Sequence, residues 1–130
     1  MRRAEINEYD LGLPLPLAPL AERRRGVPRE VWARLERTKA RLAALLGPRL
    51  REVRLFGSYA RGEPTGESDV DVLVLVERLE EGERDRIVEA VFDAGGALFA
   101  PLVLTVEQLD RLRARELLIA QDLDLQGITV

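Results

Sequence analysis

The stretch "GSYARGEPTGESDVD", Gly57 to Asp71, lies between two apolar runs that alternate with a period of two. Before it, "REVRLF" puts Val53 and Leu55 on one side and Arg54 and Phe56 on the other. After it, "DVDVLVLVE" puts Asp69, Asp71, Leu73 and Leu75 on one face and Val70, Val72, Val74 and Val76 on the opposite face. Period two is the signature of a strand. The pattern therefore demands strand, polar loop, strand. The second strand is apolar on both faces further along, which predicts a central position in a sheet.

The rest of the chain supplies the covering layers. Pro28 suits the first turn of a helix. Val31, Leu35, Leu42, Leu45 and Leu46 follow at helical spacing until Gly47-Pro48 stops them. Glu80 to Ala94 reads as a second helix, with Ile87, Val88, Val91 and Phe92 apolar and Gly95-Gly96 at its end. "ALFAPLVLT" reads as a third strand. Pro101 has no N–H, so that strand belongs at an edge or is locally irregular. Thr105 is placed to cap one long last helix through "VEQLDRLRARELLIAQDL", with Glu107 and Gln108 in its first turn. "GITV" ends the chain as a short strand or strap. The expected fold is α/β (α+β), a small mixed sheet flanked by helices, in a domain spanning 28–130. At 46% hydrophobic residues the chain has material for a core.

Residues 1–27 read differently. "LGLPLPLAPL" favours an extended, polyproline-like arm, and "ERRRG" follows it. Such an arm straps its own domain or meets a partner, a second copy included. Its apolar run is short and proline-rich, unlike a signal-peptide core. No run approaches the ~20 apolar residues of a membrane span. A cytoplasmic protein is expected.

Composition narrows the chemistry. The chain has no cysteine and no histidine, so thiol catalysis, Cys/His zinc sites and imidazole acid–base chemistry are excluded. Residues 1–60 hold 13 Lys+Arg and 7 Asp+Glu, a net of +6, whereas residues 61–130 hold 7 and 16, a net of −9. Two mutually attracting halves explain that asymmetry, and an anion-binding face is the alternative. No aromatic-rich basic surface marks a nucleic-acid site.

Asp69 and Asp71 share a strand face, with side chains roughly 6–7 Å apart at their bases. Two carboxylates against an apolar layer repel each other and resist desolvation. A divalent cation resolves both problems, and an oxygen-only donor set favours Mg²⁺ or Mn²⁺. Magnesium keeps room for phosphate oxygens, so the pair suits a nucleoside triphosphate. Gly57 lets the backbone approach a ligand closely, Ser58 offers a hydroxyl, and Arg61 is placed to neutralise phosphate. Gly62 and Gly66 allow the loop to fold back. Ser68 is placed to hydrogen-bond the loop into shape.

"LFGSYARGEPTGESDVDVLV" resembles the signature of the DNA polymerase beta-like nucleotidyltransferase superfamily, and within it the minimal nucleotidyltransferases. The match covers roughly residues 30–105. It implies the nucleotidyltransferase fold and transfer of a nucleotidyl group from a nucleoside triphosphate to an acceptor hydroxyl or other nucleophile. It implies that Asp69 and Asp71 are catalytic and ligate Mg²⁺. It also implies that Gly57 and Ser58 hold the β- and γ-phosphates, assisted by Arg61. The family's third acid, on the next strand, is missing, and its place falls to Ala100 or a neighbour. Asp93, Glu107 and Asp110 are the nearest acids and read as helix-surface residues, with substitution by one of them the alternative. Minimal nucleotidyltransferases often work beside a small HEPN-type protein, as antitoxin to toxin. A catalytically weak nucleotide-binding module with such a partner is thus the second expectation.

Overall fold

The computed structural model describes residues 17–64 and 68–130. Its elements are α1 (Leu20–Arg25), α2 (Arg29–Leu46), a 3₁₀ turn (Gly47–Arg49), β1 (Leu50–Phe56), α3 (Ser58–Arg61), β2 (Val70–Val76), α4 (Glu83–Gly95), β3 (Phe99–Thr105), α5 (Val106–Ala114), α6 (Leu118–Gln126) and β4 (Ile128–Thr129).

The four strands form one mixed sheet in the order β3-β2-β1-β4. β1 runs antiparallel to β2 and to β4. β2 and β3 are parallel and joined by the α4 crossover. β2 is therefore internal and β3, with Pro101, lies at an edge, as the alternation and the missing N–H predict.

The two faces of β2 bury different layers. Val70, Val72, Val74 and Val76 join Val53 and Leu55 under α2 and α4, where Leu35, Leu42, Leu46, Ile87 and Val91 close the main core. Leu73 and Leu75 point the other way, against Leu109 of α5 and Leu123 of α6. Leu45 (39% exposed) and Phe92 (44% exposed) stay outside the core.

Three expectations need correction. The last helix is two helices. It breaks after Ala114, with Glu116 in the left-handed region at φ 52°, and restarts at Leu118. The break swings α6 back so that Ala120 and Leu123 seal the second face. That burial offsets the roughly 1–2 kcal/mol that a left-handed, non-glycine residue costs. Secondly, Leu20–Arg25 within the arm is helical rather than extended. The proline-rich residues before position 17 lie outside the described residues. Thirdly, the predicted start of the second helix at Glu80 moves to Glu83. The predicted cap of α5 is present: the Gln108 N–H donates to Thr105 Oγ1 (3.1 Å), and the Thr105 N–H to Gln108 Oε1 (2.9 Å).

One ion pair ties the start of β1 to α4. Arg49 donates to both carboxylate oxygens of Glu83 at 2.6 and 2.5 Å, and Glu83 is almost fully buried. The Arg49 guanidinium holds the Glu83 pKa down at about 2, against 4.5 ordinarily. A depressed folded-state pKa means stability that is complete above pH 4.5 and is lost as pH falls towards 2. Denaturant unfolding of the parent and of Glu83→Gln across pH 7 to 2 should show the parent more stable at neutral pH. The two should converge in acid; a gap unchanged down to pH 2 would contradict the assignment.

Candidate active site

The site grows from the register of β1 and β2. Phe56 pairs with Asp71, so Gly57, the next residue, comes out of the sheet directly beside the Asp71 side chain. Gly57 sits at φ 76°, ψ −155°, a conformation open essentially to glycine alone. A Cβ there would lie 2.1 Å from Asp71 Oδ2 and 3.0 Å from its Cγ. The space a side chain would fill is taken by the carboxylate. Gly57 of the Gly-Ser turn and Asp71 of the Asp-x-Asp strand are therefore immediate neighbours.

Ser58 opens the single turn of α3, which closes with the Arg61 N–H donating to Gly57 O (3.1 Å) and ends at Gly62 in the left-handed region. Ala60 of this turn is buried in the main core, which seats the turn on the sheet. On the other side of the loop, the Val70 N–H donates to Leu98 O (2.8 Å), fixing where β2 begins and thus where Asp69 leaves it. Ser68 and Asp71 are half-buried and Asp69 is exposed. Gly66 lies outside the described residues.

Burial lifts the Asp71 pKa above the ordinary carboxylate value, repulsion from Asp69 adds to the lift, and Arg61 opposes it. Burial and like charge together outweigh the opposing influence of Arg61 on this carboxylate. Among the described residues, no group of three or more acids gathers as a ready metal cage. The site offers a carboxylate pair with all-oxygen donors, which fits a hard divalent ion that draws its remaining ligands from phosphate and water.

Strand β3 brings no acid to this pair. Its register sets Ala100 beside Asp71. The three alternative acids are engaged elsewhere: Asp93 with Arg41 (3.4 Å), Glu107 with Arg111, and Asp110 with Arg113 (3.4 Å). They are helix-surface acids, as expected.

Sequence reading missed two residues around the turn. Arg61 Nη1 donates to Gln126 Oε1 (3.2 Å), and Arg61 Nε to Glu63 (3.4 Å). Arg23, only 7% exposed, donates from Nη1 to Ala60 O (2.9 Å) and Gln126 O (2.7 Å), and from Nε to Ala18 O (2.9 Å). No local pattern signals contacts spanning 37 and 103 residues.

A family model described as "Nucleotidyltransferase domain" matches residues 35–126. A Methanocaldococcus jannaschii protein named "Putative protein adenylyltransferase" is 44% identical over 50 residues, which is 38% of this chain and 50% of that protein. The match thus spans half the length of that relative. A "putative nucleotidyltransferase" from Sulfolobus solfataricus has the same fold, at a TM-score of 0.53 and 19% identity over 89% of this chain and 90% of that one. A chain in a crystal structure described as "the toxin-antitoxin with AMP-PNP" also shares the fold, at a TM-score of 0.50 and 24% identity over 72% and 70% of the two chains. Among the described residues no helix is long and apolar enough to cross a membrane.

Proposed function

The chain belongs to the nucleotidyltransferase domain family, and on that basis we propose that it transfers a nucleotidyl group from a Mg²⁺-bound nucleoside triphosphate to an acceptor hydroxyl. The observation that carries this reading is the seating of the Asp71 carboxylate in the space left by the missing side chain of Gly57. That seating supports a turn and an acid that face the same ligand.

Asp69 and Asp71 would hold the ion, with Mn²⁺ the alternative to Mg²⁺. When bound, the ion supplies charge neutralisation at the phosphoryl oxygens. Gly57 and Ser58 hold the β- and γ-phosphates at the turn. Arg61 adds positive charge beside them. Ser68 shapes the entry to Asp69. The acceptor oxygen bonds to the α-phosphorus as the bond to the bridging oxygen breaks, pyrophosphate leaves, and the hydroxyl proton passes to water. The 44% identity to a protein named as an adenylyltransferase favours ATP as donor and a protein side chain as acceptor.

A second reading has its own observation. With Ala100 beside Asp71, β3 supplies no third carboxylate to take the acceptor proton. Loss of a proton-transfer group slows a reaction by about 10²–10⁴-fold. A weakly catalytic nucleotide-binding module with a partner chain of HEPN type, antitoxin to toxin, fits that deficit. The fold shared with a protein crystallised as a toxin-antitoxin with AMP-PNP points the same way.

Incubation with α-labelled ATP, Mg²⁺ and a panel of protein acceptors separates the two. Label transfer that Asp69→Asn/Asp71→Asn abolishes is the expected result. Tight Mg²⁺-dependent ATP binding without transfer supports the second reading, and absence of any binding sinks both.

A further inference from the structure

Arg23 is a buried cation held by carbonyls. Among the described residues its guanidinium donates to three backbone oxygens: Ala18 O, Ala60 O and Gln126 O. Burying a charge is unfavourable unless its donors are satisfied. Two of these acceptors belong to helix ends. Ala60 is in the only turn of α3, and Gln126 is the last residue of α6. Terminal helix carbonyls lack partners within their helix and carry partial negative charge, so a guanidinium is well placed between them. The N-terminal segment thereby clamps the turn that follows Gly57-Ser58 to the end of α6.

The second contact of Gln126 gives the clamp a direction. Its side-chain oxygen accepts from Arg61 Nη1 (3.2 Å), and its amide nitrogen donates to Asp122 Oδ1 (3.3 Å). The amide has its acceptor towards the cation and its donors towards the carboxylate, the one orientation that satisfies both. Gln126 therefore grips Arg61 through its side chain while Arg23 grips Gln126 through its backbone. Arg61 in turn closes the α3 turn, its N–H donating to Gly57 O (3.1 Å), and Gly57 lies against the Asp71 side chain.

We propose that Arg23 and Gln126 are positioning residues for the triphosphate: the relay Arg23–Gln126–Arg61 holds the Arg61 guanidinium towards the Asp71 side of the site. The proposal rests on the nucleotide reading for its ligand, though not for its geometry. Gln126→Leu removes the side-chain grip on Arg61 and leaves the backbone carbonyl that Arg23 uses. Arg23→Met removes the clamp, and Arg23→Lys keeps a cation with fewer donors.

The test is calorimetric binding of Mg²⁺ with a non-hydrolysable ATP analogue, together with NMR order parameters of the Arg61 Nε and thermal melting. Gln126→Leu should weaken binding by about three- to tenfold, the net size of an ordinary hydrogen bond acting at one remove from the ligand, with melting close to the parent's. Arg23→Met should weaken binding similarly and lower the melting temperature, with Arg23→Lys recovering part of both. In an Arg61→Ala background neither change should weaken binding further, because their effect passes through Arg61. Arg61 should lose order in Gln126→Leu.

Equal losses with and without Arg61, or an Arg61 as ordered in Gln126→Leu as in the parent, would overturn the relay. If Arg23→Met fails to fold, Gln126→Leu carries the test. If the parent itself binds no triphosphate, the nucleotide reading fails. Arg61 order then decides the relay by itself.

Discussion

Gly57→Ala is expected to abolish Mg²⁺-dependent nucleotide binding. Two independent terms act at that position. The backbone stands at φ 76°, ψ −155°, where an L side chain is strained. That strain alone costs about 1–3 kcal/mol. The new Cβ would also fall 2.1 Å from Asp71 Oδ2, inside any tolerable contact. Either the turn or the carboxylate must move, and both belong to the proposed site. Asp71 leads a strand paired on both sides, with Phe56 and with Ala100, so its backbone is the part least able to yield. The carboxylate is then turned away or the Ser58 turn is lifted off.

Calorimetry with ATP and Mg²⁺ should show affinity reduced by at least about 100-fold, since two lost charge-assisted contacts at about 1.5 kcal/mol or more each cost roughly 3 kcal/mol. The domain should remain folded, because Ala60 is the one buried residue of the turn in the main core, and the leucines, valines and isoleucine under α2 and α4 keep their packing. Parent-like binding by Gly57→Ala would mean that the turn and the acid do not share a ligand.

The second large effect is expected at the acids themselves, and it divides function from stability. Asp69→Asn/Asp71→Asn should eliminate metal-dependent binding while leaving the metal-free protein as stable as the parent or more so. Asp71 is half-buried and its pKa is raised, first by burial and then by repulsion from Asp69. The sign follows from that direction. A carboxylate whose folded-state pKa is raised opposes folding when it is ionised, and this penalty grows as pH rises through the ordinary carboxylate value. At neutral pH the penalty is fully present, and an uncharged amide removes it. Melting without metal should therefore rise or hold at pH 7, with the difference fading in acid. With excess Mg²⁺ the parent should gain stability by mass action and the double variant should not. A double variant that melts far below the parent without metal would show that the pair is a structural element instead.

Much of the fold was legible from side-chain periodicity. Val53 and Leu55 declared one face of β1, and the valines of β2 declared the face that α2 and α4 cover. Pro101 declared an edge, and Thr105 with Gln108 declared a cap, because both signals act within a few residues. The adjacency of Gly57 and Asp71 was legible for the same reason: the two are close in sequence and joined by a single strand pairing. The split between α5 and α6 was hidden, since "RARELLIA" contains no glycine or proline and the break is imposed by where Leu123 must pack. α1 was hidden behind the prolines that precede it.

Local chemistry in the sequence by itself determined two strands, the glycine that must stand between them, and the carboxylate pair that follows. Tertiary structure alone decided that Ala100 stands beside Asp71, that Asp93, Glu107 and Asp110 are occupied elsewhere, and that Arg23 reaches both the Ser58 turn and the end of α6. The physical reason is range. Steric and hydrogen-bonding preferences act between residues near in the chain and leave a pattern there. Contacts across 37 or 103 residues exist only once the hydrophobic faces have been buried and the helix ends brought together.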